Sequence, residues 1–533
     1  MAVLTLIERE LRAALRRVWT IRLRYLFAGV ALLTCLVVLT LSRLPPPRQS
    51  YWMLMWLGVL GLGFALFTGA LLTADCVSEE KREGTLGLLF LTPLRGWHVL
   101  LGKLTANAVP SVYGLLGAFP VFFLPLLNGG VTWQEILRIL LALGVTLLLS
   151  LTVGLFVSVR GTESRNTVLG TLVLLLGVTL LPLFYQVVNE HFLRRGWPGF
   201  GVANLSPWVM FVSGFENAYQ RTGGQSYWGS VVLLLILSLV FLSAAIWQLP
   251  RCWQAGLGSG TPSGGVHRSG LRKRRVRALG GGVSAVDPCW RLVESFDDEP
   301  GWLRFVRAVL LLVFGSTVIL TLSTRSPVQG FVTAMGTALV MSLFTKLFLA
   351  LEATRRLHQD RRSGALELLL VTPLSVERIV TGLRRGVNGV VWRSVAWVAI
   401  SIVVLIAAVI GFPRELEMQP SDQTVFLVLF GGALAALGAD RMALQWVGLH
   451  RALRATTHLR AAFVTFGIVM LPSWAGLGLV VALLSARNSG ALEMAAFLAL
   501  WHLGSVGYSV ALWKACRLRV IKEFRRLAAG SAD

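Results

Sequence analysis

The residues best suited to chemistry in this sequence are charged and occur twice in one pattern. Glu79-Glu80-Lys81-Arg82-Glu83-Gly84-Thr85-Leu86 leads into Leu88-Leu89 and Thr92-Pro93-Leu94, and Asp360-Arg361-Arg362-Ser363-Gly364-Ala365-Leu366-Glu367 leads into Leu368-Leu369 and Thr372-Pro373-Leu374. Aligned without gaps from Arg82 and Arg362, the arginine, the glycine, three leucines and Thr-Pro-Leu recur in place. Carboxylates, cations and leucines so mixed suit the docking of another macromolecule, where rim charges set specificity and encounter rate more than affinity. Asp440-Arg441 forms a second candidate, because ionisable groups inside an apolar run carry a functional presumption. The alternative is that the run ends at Ala439 and the pair emerges. Catalytic patterns are missing. There is no G-x-x-x-x-G-K-[ST] phosphate loop, and Gly102-Lys103 lacks the glycine spacing of one. Five cysteines (35, 76, 252, 289 and 516) show neither CxxC nor Cys/His ligand spacing, and seven histidines show no HExxH. No metal or catalytic role is assigned.

The elements that must position these residues are membrane spans. The 533 residues are 55% hydrophobic and only 14% charged, with a net charge of +24. A soluble chain of this length carries roughly a quarter charged residues. Nucleic-acid binding needs a basic face on a polar domain, whereas here Lys and Arg fall between apolar runs. Runs of bilayer length occur at 25–44, 52–74, 104–127, 136–159, 167–187 and 228–247, then at 303–323, 330–350, 387–410, 425–449, 461–484 and 491–512. They are too long for membrane strands, which predicts an all-α polytopic membrane protein of about twelve helices. The cations concentrate on one side: the N-terminal arginines, the two repeated loops, the run Arg272-Lys273-Arg274-Arg275, and the tail from Lys514. By the positive-inside rule both termini are cytoplasmic, and the expected place is the inner (plasma) membrane.

The expected organisation is a first six-span unit over 1–248 with an amphipathic N-terminal helix, a Gly/Ser-rich basic linker over 249–300, a second six-span unit over 301–513 and a basic tail over 514–533. Such a linker cannot bury a core, so a solvated segment is expected. Its cations also suit anionic lipid headgroups. A weaker echo of the repeat, Leu180-Leu181-Pro182 against Met470-Leu471-Pro472, falls inside the fifth span of each half. Prolines 110, 120 and 125 predict kinks in the third span.

The loop geometry is legible. Residues 79–83 suit a charged extension of the second span, with Gly84 as its left-handed cap. Thr85 is expected to cap a short helix over 86–91, and Thr92-Pro93 to restart another. An ordinary interfacial helix is the plainer alternative.

These residues, with Gly102-Lys103 closing the loop, resemble the signature of type-2 ABC transporter permeases. The resemblance covers most of the first 250 residues and, in the second half, mainly the loop copy. It implies a coupling helix seated on separate ABC-type ATPase subunits, which supply two nucleotide-binding domains and hold ATP and Mg. This chain would then bind no cofactor and would not itself be an enzyme. Glu79, Glu80 and Glu83 would face basic groups of the ATPase, and Leu86, Leu88 and Leu89 would contact it or the lipid surface. In the second copy Ser363 and Ala365 replace Glu83 and Thr85, and Glu367 is the substitute acid. The resemblance also implies a pair of short re-entrant helices in the long loop over 189–227; a plain interfacial loop is the other reading. The partners so expected are the ATPase subunits, membrane lipids and an exported substrate that no motif specifies.

A secondary transporter of the major facilitator kind also has parallel six-span halves. Against it, the loop after the second span lacks Asp-Arg-x-Gly-Arg-Arg, and few paired charges are visible in the spans. A lipid-linked transferase would need an interfacial cluster of carboxylates or histidines, which the sequence does not display.

Overall fold

The computed structural model describes residues 18–41, 45–90, 96–161, 164–188, 201–252, scattered positions between 304 and 318, and 327–528 without 363–364, 372–374, 417, 456 and 488–489. Among the described residues there is no strand, and ten helices are long and apolar enough to cross a membrane. The protein is an all-α, multi-pass membrane protein. Helices satisfy their backbone polar groups internally, the condition that a hydrocarbon environment imposes. The chain divides into two compact units, Met1–Ser263 and Gly264–Asp533, and five of the ten helices fall in each.

The first unit contains α1 (Val18–Leu41), α2 (Pro46–Leu72), α3 (Cys76–Glu83), α4 (Thr85–Phe90), α5 (Gly96–Ala118), α6 (Leu124–Asn128), α7 (Trp133–Arg160), α8 (Ser164–Val188), α9 (Pro207–Ser213), α10 (Glu216–Arg221) and α11 (Gln225–Cys252). The central element is α7, packed by α2 and α11 and buried over most of its length. Thr132 starts it by accepting the Glu135 amide at 3.3 Å. Its contact with α2 is backbone-close. A side chain at Gly69 would collide with the Ser150 carbonyl, while Ser150 Oγ donates across to the Ala65 carbonyl at 2.5 Å. Small residues that let backbones approach, reinforced by hydroxyl hydrogen bonds, drive helix association in lipid. The third expected span is broken as its prolines require. Pro110 lies inside α5, a 3-10 turn follows over Phe119–Phe123, and Pro120 and Pro125 open that turn and α6.

The second unit contains α12 (Pro327–Arg362), α13 (Ala365–Val371), α14 (Val376–Gly411), α15 (Pro420–Ala452), α16 (His458–Arg487) and α17 (Ala491–Ala528). α15 packs against α17, α12 and α14. Ten of the twelve expected spans coincide with these long helices. In the first expected span the apolar stretch is shorter, 27–40, and the seventh, 303–323, falls mostly outside the described residues. Of the linker expected over 249–300, residues 249–252 belong to the end of α11 and the rest lies outside the described residues. The basic tail is no separate segment up to residue 528. α17 continues through it and buries Val520 and Phe524, because its apolar residues recur at helical spacing. The proline echo holds a common place, with Pro182 inside α8 and Pro472 inside α16.

From residue 201 onward the connection between α8 and α11 is not a plain interfacial loop. It forms the two short helices α9 and α10, and Phe211 and Phe215 are buried, Phe211 filling the space beside Gly58. Arg138 on α7 anchors this cap. It pairs with Glu216, lies 3.9 Å from the Tyr219 ring centroid, and its carbonyl accepts from the Tyr227 hydroxyl at 2.7 Å. The Arg138 guanidinium, and then Gln220, hold the Glu216 carboxyl below its usual range. A depressed carboxyl stabilises the fold above its unfolded value of about 4.3, and that contribution disappears as pH falls through the depressed value. Thermal unfolding between about pH 5 and pH 3 should therefore show a steeper loss for the wild type than for Glu216→Gln. Equal slopes would remove the pair from the acid response.

Candidate functional site

In the first unit the repeated loop is built differently from a simple extension of the span. α2 stops at Leu72, and Thr73 to Asp75 turn the chain before α3. Thr73 Oγ1 donates to the carbonyls of Gly69 (2.8 Å) and Leu151 (3.1 Å), and Asp75 takes both arms of Arg82 at 2.9 Å. Short polar side chains that bond to local backbone compete with helix continuation. Ala353 and Arg355 occupy the aligned places in the second unit, and there α12 runs unbroken to Arg362. Gly84 is left-handed at φ 73°, as expected. Thr85 does not cap the next helix. It is the first residue of α4, and its hydroxyl donates back to the Glu80 carbonyl at 3.4 Å.

The acidic and leucine positions sort differently from the expectation. Glu80 is taken by Lys103 on α5 at 2.5 Å, so it is engaged within the chain. Glu79 is exposed on α3. Glu83 ends α3, and its side chain lies outside the described residues, as do the side chains of Leu88 and Leu89 and the whole of Thr92 and Pro93. Leu86 is buried against Val77, Leu100, Leu155 and Val159, and so cannot serve a partner or the lipid surface. In the second unit Asp360 is buried against Arg356 at 3.3 Å, Leu366 is buried, and Glu367 on α13 is exposed. Arg362 closes α12, its side chain outside the described residues, as are Gly364, Thr372 and Pro373.

Both loops are tied to the same place in their units. In the first, Lys81 donates to the Val159 carbonyl, and Gly154, one turn earlier on α7, gives way to Thr73. In the second, Arg361, aligned with Lys81, donates to the Leu453 carbonyl just beyond α15. Gly448 there gives way to Ala353, which is aligned with Thr73. The spacing from glycine to accepting carbonyl is the same on α7 and α15. The first loop has an additional tie. Ser158 Oγ accepts the amides of Val77 (2.9 Å) and Ser78 (3.1 Å), two of the donors that the start of α3 leaves unpaired. Ser158→Ala is expected to cost about 1–3 kcal/mol, and hydrogen exchange should show it as faster exchange at α3 before α7 responds. Burial pushes the thiol of Cys76, beside Ser158, up to about 12, which disfavours the thiolate.

A buried charge network lies in the second unit. α15 continues helical to Ala452, so Asp440 and Arg441 lie inside one helix and do not mark its end. Asp440 is buried, 2.7 Å from Lys346 Nζ on α12, and accepts the Ser509 hydroxyl of α17 at 2.6 Å. Arg441 is half-buried on the same helix. One of the few paired charges expected in the long apolar helices is thus Lys346–Asp440. Lys346 carried a signal in the sequence, as the one charged residue of the apolar run 331–351. Ser509 carried none, for serines are scattered through the spans. In the register shared by the two units, Lys346 and Asp440 stand where the first has Leu66 and Thr146. No family model matches this chain, and no curated protein matches it.

Proposed function

We propose that the chain is the membrane-spanning permease subunit of an ATP-driven exporter of the type-2 ABC kind, two six-span units in one polypeptide with cytoplasmic termini in the plasma membrane. Separate ATPase subunits dock at the two repeated loops and hydrolyse Mg-ATP. The observation that carries this reading is the matched tie in both units: a cation beside the short helix bonded to the end of the fourth span, Lys81 to Val159 and Arg361 to Leu453. A displacement applied at α4 or α13 has a bonded route into α7 or α15, the most connected helix of its unit. Such a push shifts transport states only if the docked partner binds the two states unequally. The test is purification of the full chain from gentle detergent, followed by reconstitution. Co-recovery of an ATPase and ATP-dependent export are expected; repeated recovery of the chain alone, with ATP-independent transport, would sink the reading.

A second reading is an ion-coupled secondary transporter, favoured by the buried Lys346–Asp440 pair, with His502 close enough to feel the Lys346 charge. Transport that stops on collapse of the proton gradient while ATP persists would select it.

A further inference from the structure

In the first unit, the helices beneath the loop meet in an apolar cluster that holds Leu104 and Ala108 of α5 with Leu147 and Leu151 of α7. The second unit keeps the loopward layer of this cluster apolar: Leu357, Leu366, Val380, Leu449 and Leu453 are all buried. α14 begins at Val376 in the same register of the loop alignment as α5 at Gly96, and the glycine and carbonyl of the tie set the register of α15 on α7. In that register Leu104, Ala108, Leu147 and Leu151 become Arg384, Asn388, Arg441 and Gln445.

These replacements bond to one another, and Arg384 also donates to the Met442 sulfur at 3.3 Å, but none of them brings a counter-charge. Gln445 bonds Asn388 at 2.5 Å and receives Arg384 Nε at 3.4 Å; the Arg384 guanidinium lies 4.7 Å from the Trp446 ring centroid. Arg441 and, from α17, Arg517 place their charges within electrostatic reach of Arg384. Arg441 Nε is buried without an acceptor. Asp440, the acid next in sequence, is occupied by Lys346 and Ser509. Among the described residues no carboxylate pairs with any of the three arginines. Like charges gathered in a partly buried place destabilise it unless an anion is present, and the first unit shows that leucines fill the same place. Guanidinium forks match phosphate oxygens, and Arg384 lies in the loopward part of α14, the side from which a headgroup phosphate would reach the cluster.

We propose that Arg384, Arg441 and Arg517 form a binding site for a phosphate group, carried by an anionic lipid headgroup or by a free phosphate compound. The test uses the full chain in nanodiscs. Its unfolding midpoint is measured in phosphatidylcholine alone, with phosphatidylglycerol added, and in phosphatidylcholine with millimolar inorganic phosphate against matched chloride. A rise of several degrees is expected in at least one arm. A rise with phosphatidylglycerol only assigns the site to a headgroup, and a rise with inorganic phosphate assigns it to a free anion. Arg384→Gln with Arg441→Gln should lose at least half of that rise, whereas Arg454→Gln, whose cation pairs on the surface with Glu523, should keep it. Arg384→Leu with Arg441→Leu copies the first unit and should fold without responding; Arg517→Gln, at an exposed position, should reduce the response without threatening the fold. No rise in either arm, or an undiminished rise in the leucine variant and in Arg517→Gln, overturns the proposal.

Discussion

Asp440→Ala should be among the most damaging single substitutions in the second unit, costing about 3–5 kcal/mol at neutral pH. The Lys346 ammonium is only 15% exposed, and among the described residues the Asp440 carboxylate is the one acid that pairs with it. Removing the carboxylate strands a cation among apolar helices and releases the Ser509 hydroxyl. Removing both charges has a different outcome. Lys346→Leu with Asp440→Thr reproduces what the first unit carries at these positions, and replacing a buried ion pair by well-packed side chains is often neutral or stabilising. The double variant should regain most of the unfolding midpoint lost by Asp440→Ala. If the single variant unfolds at the wild-type midpoint, the pair contributes no net stability. If the double variant is as stable as wild type but transports nothing, the pair serves transport, and the ion-coupled reading gains.

If the proposed permease function holds, Glu79→Lys should weaken association with the ATPase by about tenfold or more, roughly 1.4 kcal/mol, with most of the change in the association rate at low salt. Glu79 is exposed on α3, so its reversed charge meets a docking partner, and the unfolding midpoint of the chain without ATPase separates that effect from any change within α3. Glu367→Lys on α13 is the matching change in the second unit, with an effect expected to be smaller because Asp360 there is buried and engaged. Glu80→Lys is a control of another kind. It would set two ammonium groups together at Lys103, so its effect should appear as local unfolding of α3 even with no ATPase present. Binding is measured by ATPase recovery on the immobilised, reconstituted chain across a salt series. Unchanged recovery with Glu79→Lys at every salt concentration would remove this face of α3 from docking.

The acidic positions show where reading the sequence stops. Glu79 and Glu80 are adjacent and identical in type, and no pattern separates the exposed one from the one claimed by Lys103, because that choice depends on how closely α5 approaches α3. Leu86 is similar. A leucine on a short apolar helix suits a partner, a bilayer or a core equally, and only the arrival of α7 and α5 beneath it decides for the core.

What the sequence by itself determined was local or additive. Apolar length marked nearly all the spans, prolines placed the breaks in the third, Gly84 placed the left-handed cap, and the gapless Arg-Gly-Leu-Thr-Pro-Leu pattern revealed the repeat. Each of these depends on a few neighbouring residues or on transfer to lipid summed along one helix. The tertiary structure decided the pairings: Lys346 with Asp440, Lys81 with the end of α7, Arg361 with the end of α15, and leucines in one unit exchanged for arginines in the other. These contacts join residues some 60 to 95 positions apart, and their partners are selected by helix packing, which no short stretch of chain encodes.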